Sequence, residues 1–290
     1  MRIRTGLVCA WAAVIPILAS GCVIVATDGG CWSWGGRTVW AEADEERPIE
    51  TAGLTALEVR THNGSIDFDG QAAGEAATVT ITKKGGGKNQ EEAEEALAAI
   101  RVFVESSGGG KTRIGWEWAV PKKSRWSGDV SFAIRAPGNL HLDAETHNGG
   151  VAVEQVSGDV KAVTHNGGVR VESGTGKLHA QTHNGQVQAT YAGPELTLIT
   201  HNGKVSADLS KCGAVAGSLT THNGGVHVTV GKNTAAMLTC QTHNGGIDCD
   251  APLTESRKTR REVTGKLGAG GPSLGIETHN GSIRVKSTSG

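Results

Sequence analysis

The sequence predicts an all-β protein, a parallel β-solenoid with rungs of about 18–21 residues and one short helix near its N-terminal end. The tetrapeptide Thr-His-Asn-Gly occurs eight times, beginning at Thr61, Thr146, Thr164, Thr182, Thr200, Thr221, Thr242 and Thr278. The intervals between the second and seventh copies are 18, 18, 18, 21 and 21 residues, and the last interval is 36. A fixed period of this length is typical of stacked supersecondary units. Apolar and polar residues also alternate on both sides of each copy, as they do in strands.

Each copy is predicted to lie at a corner between two strands. Leu178 and Ala180 precede Thr182 on the inward face. Val187 and Ala189 are inward after it, so the alternation must shift by one residue at the Asn-Gly pair, where a left-handed backbone is tolerated. One copy alone is also compatible with an antiparallel hairpin. The regular series instead favours parallel rungs, each about 4.8 Å above the last, with like residues stacked.

This stacking predicts ladders of identical polar residues at the corner. The threonines face the core, and the asparagines form the structural corner: Asn63, Asn148, Asn166, Asn184, Asn202, Asn223, Asn244 and Asn280. A residue that follows an inward threonine faces outward. The histidines are therefore predicted to form a surface column of His147, His165, His183, His201, His222 and His243, with His62 and His279 at or near its ends.

The six histidines of this column are the candidate metal ligands of the chain. Imidazole nitrogen binds zinc, copper or nickel, and rings one rung apart could share an ion. A straight row offers two or three nitrogens per ion, and no Asp, Glu or Cys recurs in phase to complete a tetrahedron. The sequence therefore predicts no cofactor beyond weak zinc or copper binding. The alternative is face-to-face stacking of the rings, whose mutual repulsion on protonation predicts lower stability in acid.

Residues 1–21 are predicted to be a signal peptide. Arg2 and Arg4 precede an apolar stretch over residues 7–18, and the segment Leu-Ala-Ser-Gly-Cys ends at Cys22. This segment resembles the lipobox of bacterial lipoproteins, which implies cleavage before Cys22 and attachment of lipid to its thiol. The apolar stretch is too short to span a bilayer, so the lipid is the expected anchor. An ordinary secretory signal is the alternative, and both signals export the protein.

The mature chain is predicted to have two parts, a tether and a repeat domain. The tether covers residues 22–53, and the repeat domain comprises an irregular N-terminal part (54–140), regular rungs (141–250), a degenerate rung or loop (251–272) and a final rung (273–287), within residues 54–290. The helix is expected near residues 89–100 in the irregular part. Four cations, Arg257, Lys258, Arg260 and Arg261, fall in the degenerate segment, but a formal net charge of -1 predicts no nucleic-acid partner.

The order of features along the chain is characteristic. An N-terminal strand region with a short helix precedes the segment SFAIRAP, repeated Thr-x-Asn-Gly units follow, and the last unit reads SLGIETHNGSIRV. Over residues 54–285 this order resembles the bacterial putative-adhesin β-strand-repeat family. The resemblance implies a β-solenoid fold, an envelope location and no catalytic residues. In that family the residue between Thr and Asn varies, whereas here it is histidine in all eight copies.

The pattern of carboxylates predicts that the protein is not an enzyme. Carbohydrate-active β-helices need clustered carboxylates on one exposed face. Asp67, Glu154, Asp208 and Asp248 are interpreted as occupying different offsets from their motifs, which predicts no carboxylate column. No serine is interpreted as a nucleophile elbow, although residues 271–275 match Gly-x-Ser-x-Gly, and no Gly-x-x-x-x-Gly-Lys-Ser/Thr phosphate loop is present.

The sequence thus predicts a non-enzymatic lipoprotein of the cell envelope, an adhesin or envelope-binding module. It is expected to be exported and lipid-anchored, at the outer membrane in a cell with two membranes, because Val23 rather than Asp follows Cys22. The expected partners are the membrane, through the lipid, and an envelope polymer or a surface protein. A divalent-metal-binding envelope protein that uses the histidines is the second hypothesis, and a carbohydrate-active β-helix enzyme is the third.

Overall fold

The computed structural model describes residues 23–25 and 38–288. The first strands in chain order are β1 (Val23–Val25), β2 (Val39–Ile49), β3 (Ala56–Arg60), β4 (Ile66–Gln71), β5 (Ala77–Gly87), β6 (Ile100–Ser107), β7 (Lys111–Trp118), β8 (Ser127–Pro137), β9 (His141–Asn148), β10 (Val151–Glu154), β11 (Val160–Asn166) and β12 (Val169–Gly174). The later strands are β13 (Leu178–Asn184), β14 (Val187–Tyr191), β15 (Glu195–Asn202), β16 (Val205–Leu209), β17 (Ala216–Asn223), β18 (Val226–Val230), β19 (Ala236–Asn244), β20 (Ile247–Cys249), β21 (Leu253–Lys258), β22 (Glu262–Leu267), β23 (Ser273–Asn280) and β24 (Ile283–Ser287). Helix α1 (Gln90–Ala98) lies between β5 and β6.

The strands form two sheets of 12 strands each. Sheet A has the spatial order β1-β2-β5-β8-β4-β10-β12-β14-β16-β18-β24-β20. Sheet B has the order β21-β22-β19-β23-β17-β15-β13-β11-β9-β3-β7-β6. Within the repeats every pairing between copies is parallel, and the prediction of an all-β protein with parallel strands and one helix is confirmed.

Each repeat places one strand in each sheet. The strand that ends in Asn lies in sheet B, and the strand after the corner lies in sheet A, so like residues of successive copies become neighbours. Val160 pairs with Leu142 and Leu178, and Asn166 pairs with Asn148. The period-two alternation of the sequence is what directs one set of side chains between the sheets and the other set to solvent.

The core lies between the two sheets and runs the length of the stack. Leu198 and Leu219 of sheet B and Val205 of sheet A are fully buried. The motif threonines are buried at the edge of this core, at 1–6% exposure from Thr146 onward. Burial of each large aliphatic side chain contributes about 1.5–3 kcal/mol, so the ladders of apolar residues stabilise the stack throughout its length.

The first copy stacks directly on the second, although 85 residues separate them in sequence. Strand β3 pairs with β9, and β4 pairs with β10. The intervening chain adds β8 to sheet A beside β4 and β7 to sheet B beside β3. The irregular N-terminal part therefore extends both sheets.

Helix α1 packs on the N-terminal part of sheet A. Asn89 caps it by accepting a hydrogen bond from the backbone N–H of Glu92 at 2.8 Å. Ala93 and Leu97 pack against Ala41 of β2, so residues 39–49, which were predicted to be tether, instead form a strand whose small apolar face the helix covers. Within the described residues, no helix is both long enough and apolar enough to cross a membrane.

The eighth copy does not follow the seventh in space. Strand β23 lies between β17 and β19 in sheet B, and β24 lies between β18 and β20 in sheet A. The final rung, residues 273–287, is therefore inserted between the sixth and seventh copies. The seventh copy precedes the eighth in sequence but lies farther along the stack, and residues 273–287 then return to the position between the sixth and seventh copies.

Residues 251–272, expected to be a degenerate rung or a loop, contain the antiparallel hairpin β21–β22. Strand β22 pairs with the outer edge of β19, and Val263 and Leu267 are buried against the end of the core. The hairpin forms because these alternating apolar residues cover surface that the last strand of the stack would otherwise expose. Its own edge is interrupted at Glu255, where φ is +48° and the register shifts, which hinders pairing with further strands.

We predict that Gly185→Ala destabilises the repeat stack. A Cβ at Gly185 would lie 2.0 Å from the carbonyl oxygen of Gly167 in the adjacent copy, so two rungs must separate. We expect the free energy of unfolding, measured by urea denaturation, to fall by at least about 2 kcal/mol. Gly213→Ala is the matched control, since its Cβ meets no atom within 4 Å. Equal free energies of unfolding for Gly185→Ala and Gly213→Ala would contradict the close approach of Gly185 and Gly167 at the corner.

Candidate functional site

The corner of each repeat from the second copy onward is fixed by a buried threonine. The hydroxyl of Thr182 donates to the carbonyl oxygen of Gly167 in the preceding copy at 2.8 Å. Thr164 and Thr200 make the same hydrogen bond to the corner glycines of their own preceding copies, also at 2.8 Å. The hydrogen bond satisfies a hydroxyl that the core would otherwise leave without a partner. It also holds successive corners at one separation, so the two residues that follow each threonine are repeated at equal spacing.

The corner asparagines form one continuous side-chain ladder. Each amide N–H donates to the amide oxygen of the neighbouring copy at 2.7–2.9 Å. In spatial order the asparagine ladder contains Asn63, Asn148, Asn166, Asn184, Asn202, Asn223, Asn280 and Asn244. It ends with Asn63, whose amide donates to the carbonyl oxygen of Gly128 at 3.0 Å. All donors point the same way along the stack, which lets the bonds polarise one another.

The eight motif histidines lie beside this ladder as a stack of exposed imidazole rings. Neighbouring ring centroids are 4.6–4.9 Å apart, and the rings deviate from parallel by 1–11°. We call this stack the histidine column; its spatial order is His62, His147, His165, His183, His201, His222, His279 and His243. The ring faces cover one another, so the column presents ring edges with their N–H donors and nitrogen acceptors to solvent.

The geometry of the histidine column gives no specific support for shared metal ligation. The nitrogen lone pair lies in the ring plane, so parallel rings direct their lone pairs side by side and do not converge on one ion. Among residues 38–288, no group of three or more His, Cys, Asp or Glu side chains is positioned to hold a metal.

Carboxylates line up on the outer face of sheet A, contrary to the interpretation from the sequence. Glu154 pairs in register with Asp69 on one side and with Glu172 on the other. Glu154 and Asp208 in fact share one offset, eight residues after their motif threonines, and counting from each threonine reveals this row. Glu172 forms an ion pair with Arg170, and all of these side chains are partly or fully solvent-exposed.

The remaining predicted site residue, Cys22, lies outside the described residues. Cys240 and Cys249 lie in the seventh copy on opposite sides of its corner, and both are free thiols. Burial raises the pKa of the Cys240 thiol to about 12. A thiol with a raised pKa is a poor nucleophile, so this side chain acts as core packing.

The chain belongs to the Toastrack DUF4097 family, whose model matches residues 119–286. The match covers all seven copies from the second to the eighth, including the inserted final rung. No curated protein matches the chain.

Several solved structures are similar to the chain at low identity. They include a putative cell adhesion protein from Clostridium sporogenes, with 13% identity, 85% of this chain and 100% of that chain covered, and a TM-score of 0.35. A putative adhesin from Bacteroides fragilis has 13% identity, coverage of 85% and 97%, and a TM-score of 0.41. A putative lipid binding protein from Parabacteroides distasonis has 10% identity, coverage of 83% and 96%, and a TM-score of 0.39. Likenesses at this level carry no argument about the function of this chain.

We predict that the histidine column makes the protein less stable in acid. Protonated rings 4.6–4.9 Å apart repel by about 1 kcal/mol per pair even in bulk water. Unfolding separates the rings and relieves this repulsion between their charged forms, so we expect stability to be lower in acid. We expect the melting temperature to fall between pH 7.5 and pH 5.5, and a variant with His165, His183 and His201 changed to Gln to lose much of that fall.

His227→Gln is the matched control for this pH dependence. Burial, with the nearby charges of Lys204 and Arg284, lowers the pKa of His227, which lies outside the column on sheet A. Its folded pKa is below the unfolded value near 6.5, so its contribution to stability is also lost as pH falls through that value. This is one group against eight, so His227→Gln should retain most of the wild-type pH dependence. A wild-type melting temperature that stays flat over this range would contradict the prediction.

Proposed function

We propose that this protein is a non-enzymatic, lipid-anchored module of the cell envelope that binds an envelope polymer or a surface protein. The observation that carries the proposal is the histidine column with its asparagine ladder, an exposed row of identical groups at equal spacing. Its seven intervals of 4.6–4.9 Å extend over roughly 33 Å. A row of this kind suits many weak contacts with a repetitive or extended partner, because linked contacts reinforce one another.

We also propose that the fold is a β-solenoid. Successive strands alternate between sheets B and A, and each copy advances the stack by one strand in each sheet. A coil of this kind is stiff because every rung pairs with two neighbours along both faces. Stiffness keeps the spacing of the exposed row constant, which favours recognition of an ordered partner.

The proposed anchor is a lipid on Cys22. The basic start, the apolar stretch and the small residues before Cys22 support export and lipidation. With Val23 as the next residue, the proposed destination is the outer membrane in a cell with two membranes. A lipid would attach the module to the envelope without a membrane-spanning helix.

The absence of enzyme activity is supported by the character of the polar surfaces. The carboxylate row of sheet A is open to solvent, and Glu172 is paired with Arg170. Glycoside hydrolysis needs one carboxylic acid held protonated beside an ionised carboxylate. A solvent-open row in which one carboxylate is already paired with an arginine does not provide two such contrasting environments.

We predict that Cys22→Ala releases the protein from the membrane fraction. Metabolic labelling with palmitate should label the wild-type protein and not this variant, since the thiol is the site of lipid attachment. Cys9→Ala, within the predicted signal peptide, is the control and should be labelled and retained with the membrane. Continued labelling of the Cys22→Ala variant would overturn the proposed anchor.

We predict that the mature protein retains envelope polymer without changing it. Purified protein is presented with a panel of envelope glycans, and both retention and new reducing ends are measured. Retention with no new products is expected. If the protein is instead a carbohydrate-active enzyme, new reducing ends appear with the wild type and are absent when Glu154 is changed to Gln. That outcome would replace the proposed function by an enzymatic one.

A further inference from the structure

Few fixed charges lie beside the histidine column, and they are of both signs. The charged groups nearest the column, by register and chain position, are Arg60, Glu145 and Glu277 on sheet B, Lys204 beyond the corner, and Arg101, Glu117, Arg261 and Glu262 at its ends. Cations and carboxylates are equal in number in this set, and Arg60 pairs with Glu145 at 3.5 Å. The fixed charges of this set therefore balance, and Arg260 on the hairpin turn adds one further cation, so any protonation of the rings makes the edge more cationic.

The hairpin β21–β22 continues this edge with permanent cations. The backbone N–H of Thr242 donates to the carbonyl oxygen of Arg261 at 3.0 Å, which places the hairpin turn beside His243, the last ring of the column. Arg260 and Arg261 are exposed on this turn, which we call the basic turn. In the described part of the chain neither pairs with a carboxylate, although Lys266 on the same hairpin pairs with Glu255.

The length and spacing of this edge select the shape of a ligand. A compact anion would contact two or three rings and leave the others unused. An extended polymer lying along the column can meet one ring edge per repeat, and each contact between imidazolium and carboxylate is a charge-assisted hydrogen bond. Each strand of a nucleic-acid duplex carries a charge about every 3.4 Å along the helix axis, which falls out of step with rings 4.6–4.9 Å apart within a few residues.

We propose that the histidine column and the basic turn form one binding edge for an extended anionic polysaccharide with a carboxylate on each sugar, and that acid strengthens this binding. The inference rests on the proposed binding function and names the chemistry of the partner. The basic turn holds one end of the polymer at neutral pH. Protonation of the column then recruits the rest of the chain, so affinity grows with both acidity and polymer length.

The test uses the mature protein and oligogalacturonates of two to twelve sugars as the probe. Titration calorimetry at pH 5.5 should give a Kd at least tenfold tighter than at pH 7.5 for the longest oligomers. The gain should grow with length and level off near eight sugars, the number of rings in the column. High salt should abolish this gain in affinity, because the contacts are between solvent-exposed charged groups.

Two variants test whether oligogalacturonate binds at the histidine column and the basic turn. Changing His165, His183 and His201 together to Gln should remove most of the gain at pH 5.5, while changing Arg260 and Arg261 to Gln should weaken binding severalfold at both pH values. The matched control changes His141 and His179 to Gln; both lie on sheet B outside the column and should leave binding unchanged. The melting temperatures of all variants are measured at both pH values to check that each one is folded.

Several results would overturn the inference. Binding that is equal at the two pH values, insensitive to oligomer length or unchanged in the triple histidine variant would exclude the column as the site. Tighter binding of single-stranded DNA than of oligogalacturonate at pH 5.5 would exclude the proposed ligand class. Retention of a neutral glycan or a surface protein, with no uptake of oligogalacturonate, would leave the proposed function standing and reject this inference alone.

Discussion

The close approach of successive corner glycines is the constraint on which the rest of the structure depends. Gly185 lies so near the carbonyl oxygen of Gly167 that a side chain cannot fit between them, and the same is true of Gly203 above Gly185. The threonine of each upper copy donates to the same carbonyl. Glycine therefore permits the short distance and threonine fixes it, and both residues are required at the same point of every repeat.

The spacing of the exposed groups follows from this corner. Parallel strands lie about 4.8 Å apart, and the imidazole rings keep nearly that distance because each is attached one residue beyond the fixed threonine. The rings are thus brought together by the backbone. Their stacking does not need to be favourable in every protonation state, which is how a surface of eight neighbouring histidines can exist on a stable fold.

The alternation of apolar and polar residues in the sequence was sufficient to predict which residues face inward and which face outward. Alternation around Thr182 predicted its burial and the exposure of His183, because a side-chain period of two leaves no other arrangement in a strand. The period of the motif was sufficient to predict parallel stacking of like residues. These are local signals, and each copy repeats them.

The features that sequence reasoning missed depend on contacts between distant segments. The pairing of residues 39–49 with β5 carries a weak local signal, because alanines such as Ala41 and Ala43 form its buried face. The position of the eighth copy carries none: its strands have the same pattern as the others and would fit any level of the stack. The carboxylate row around Glu154 was a different case, since counting along the motif was enough to find it.

The inserted final rung has a consequence for how the molecule is made. A chain emerging from the ribosome can stack its copies in their final order only as far as the sixth, because in the finished fold the motif strands of the seventh pair with another copy only through residues 273–287. Completion of the repeat stack therefore waits until residues 273–287 have been synthesised. Nascent chains that lack residues 273–287 keep an open strand edge in each sheet, and such edges favour pairing with other chains.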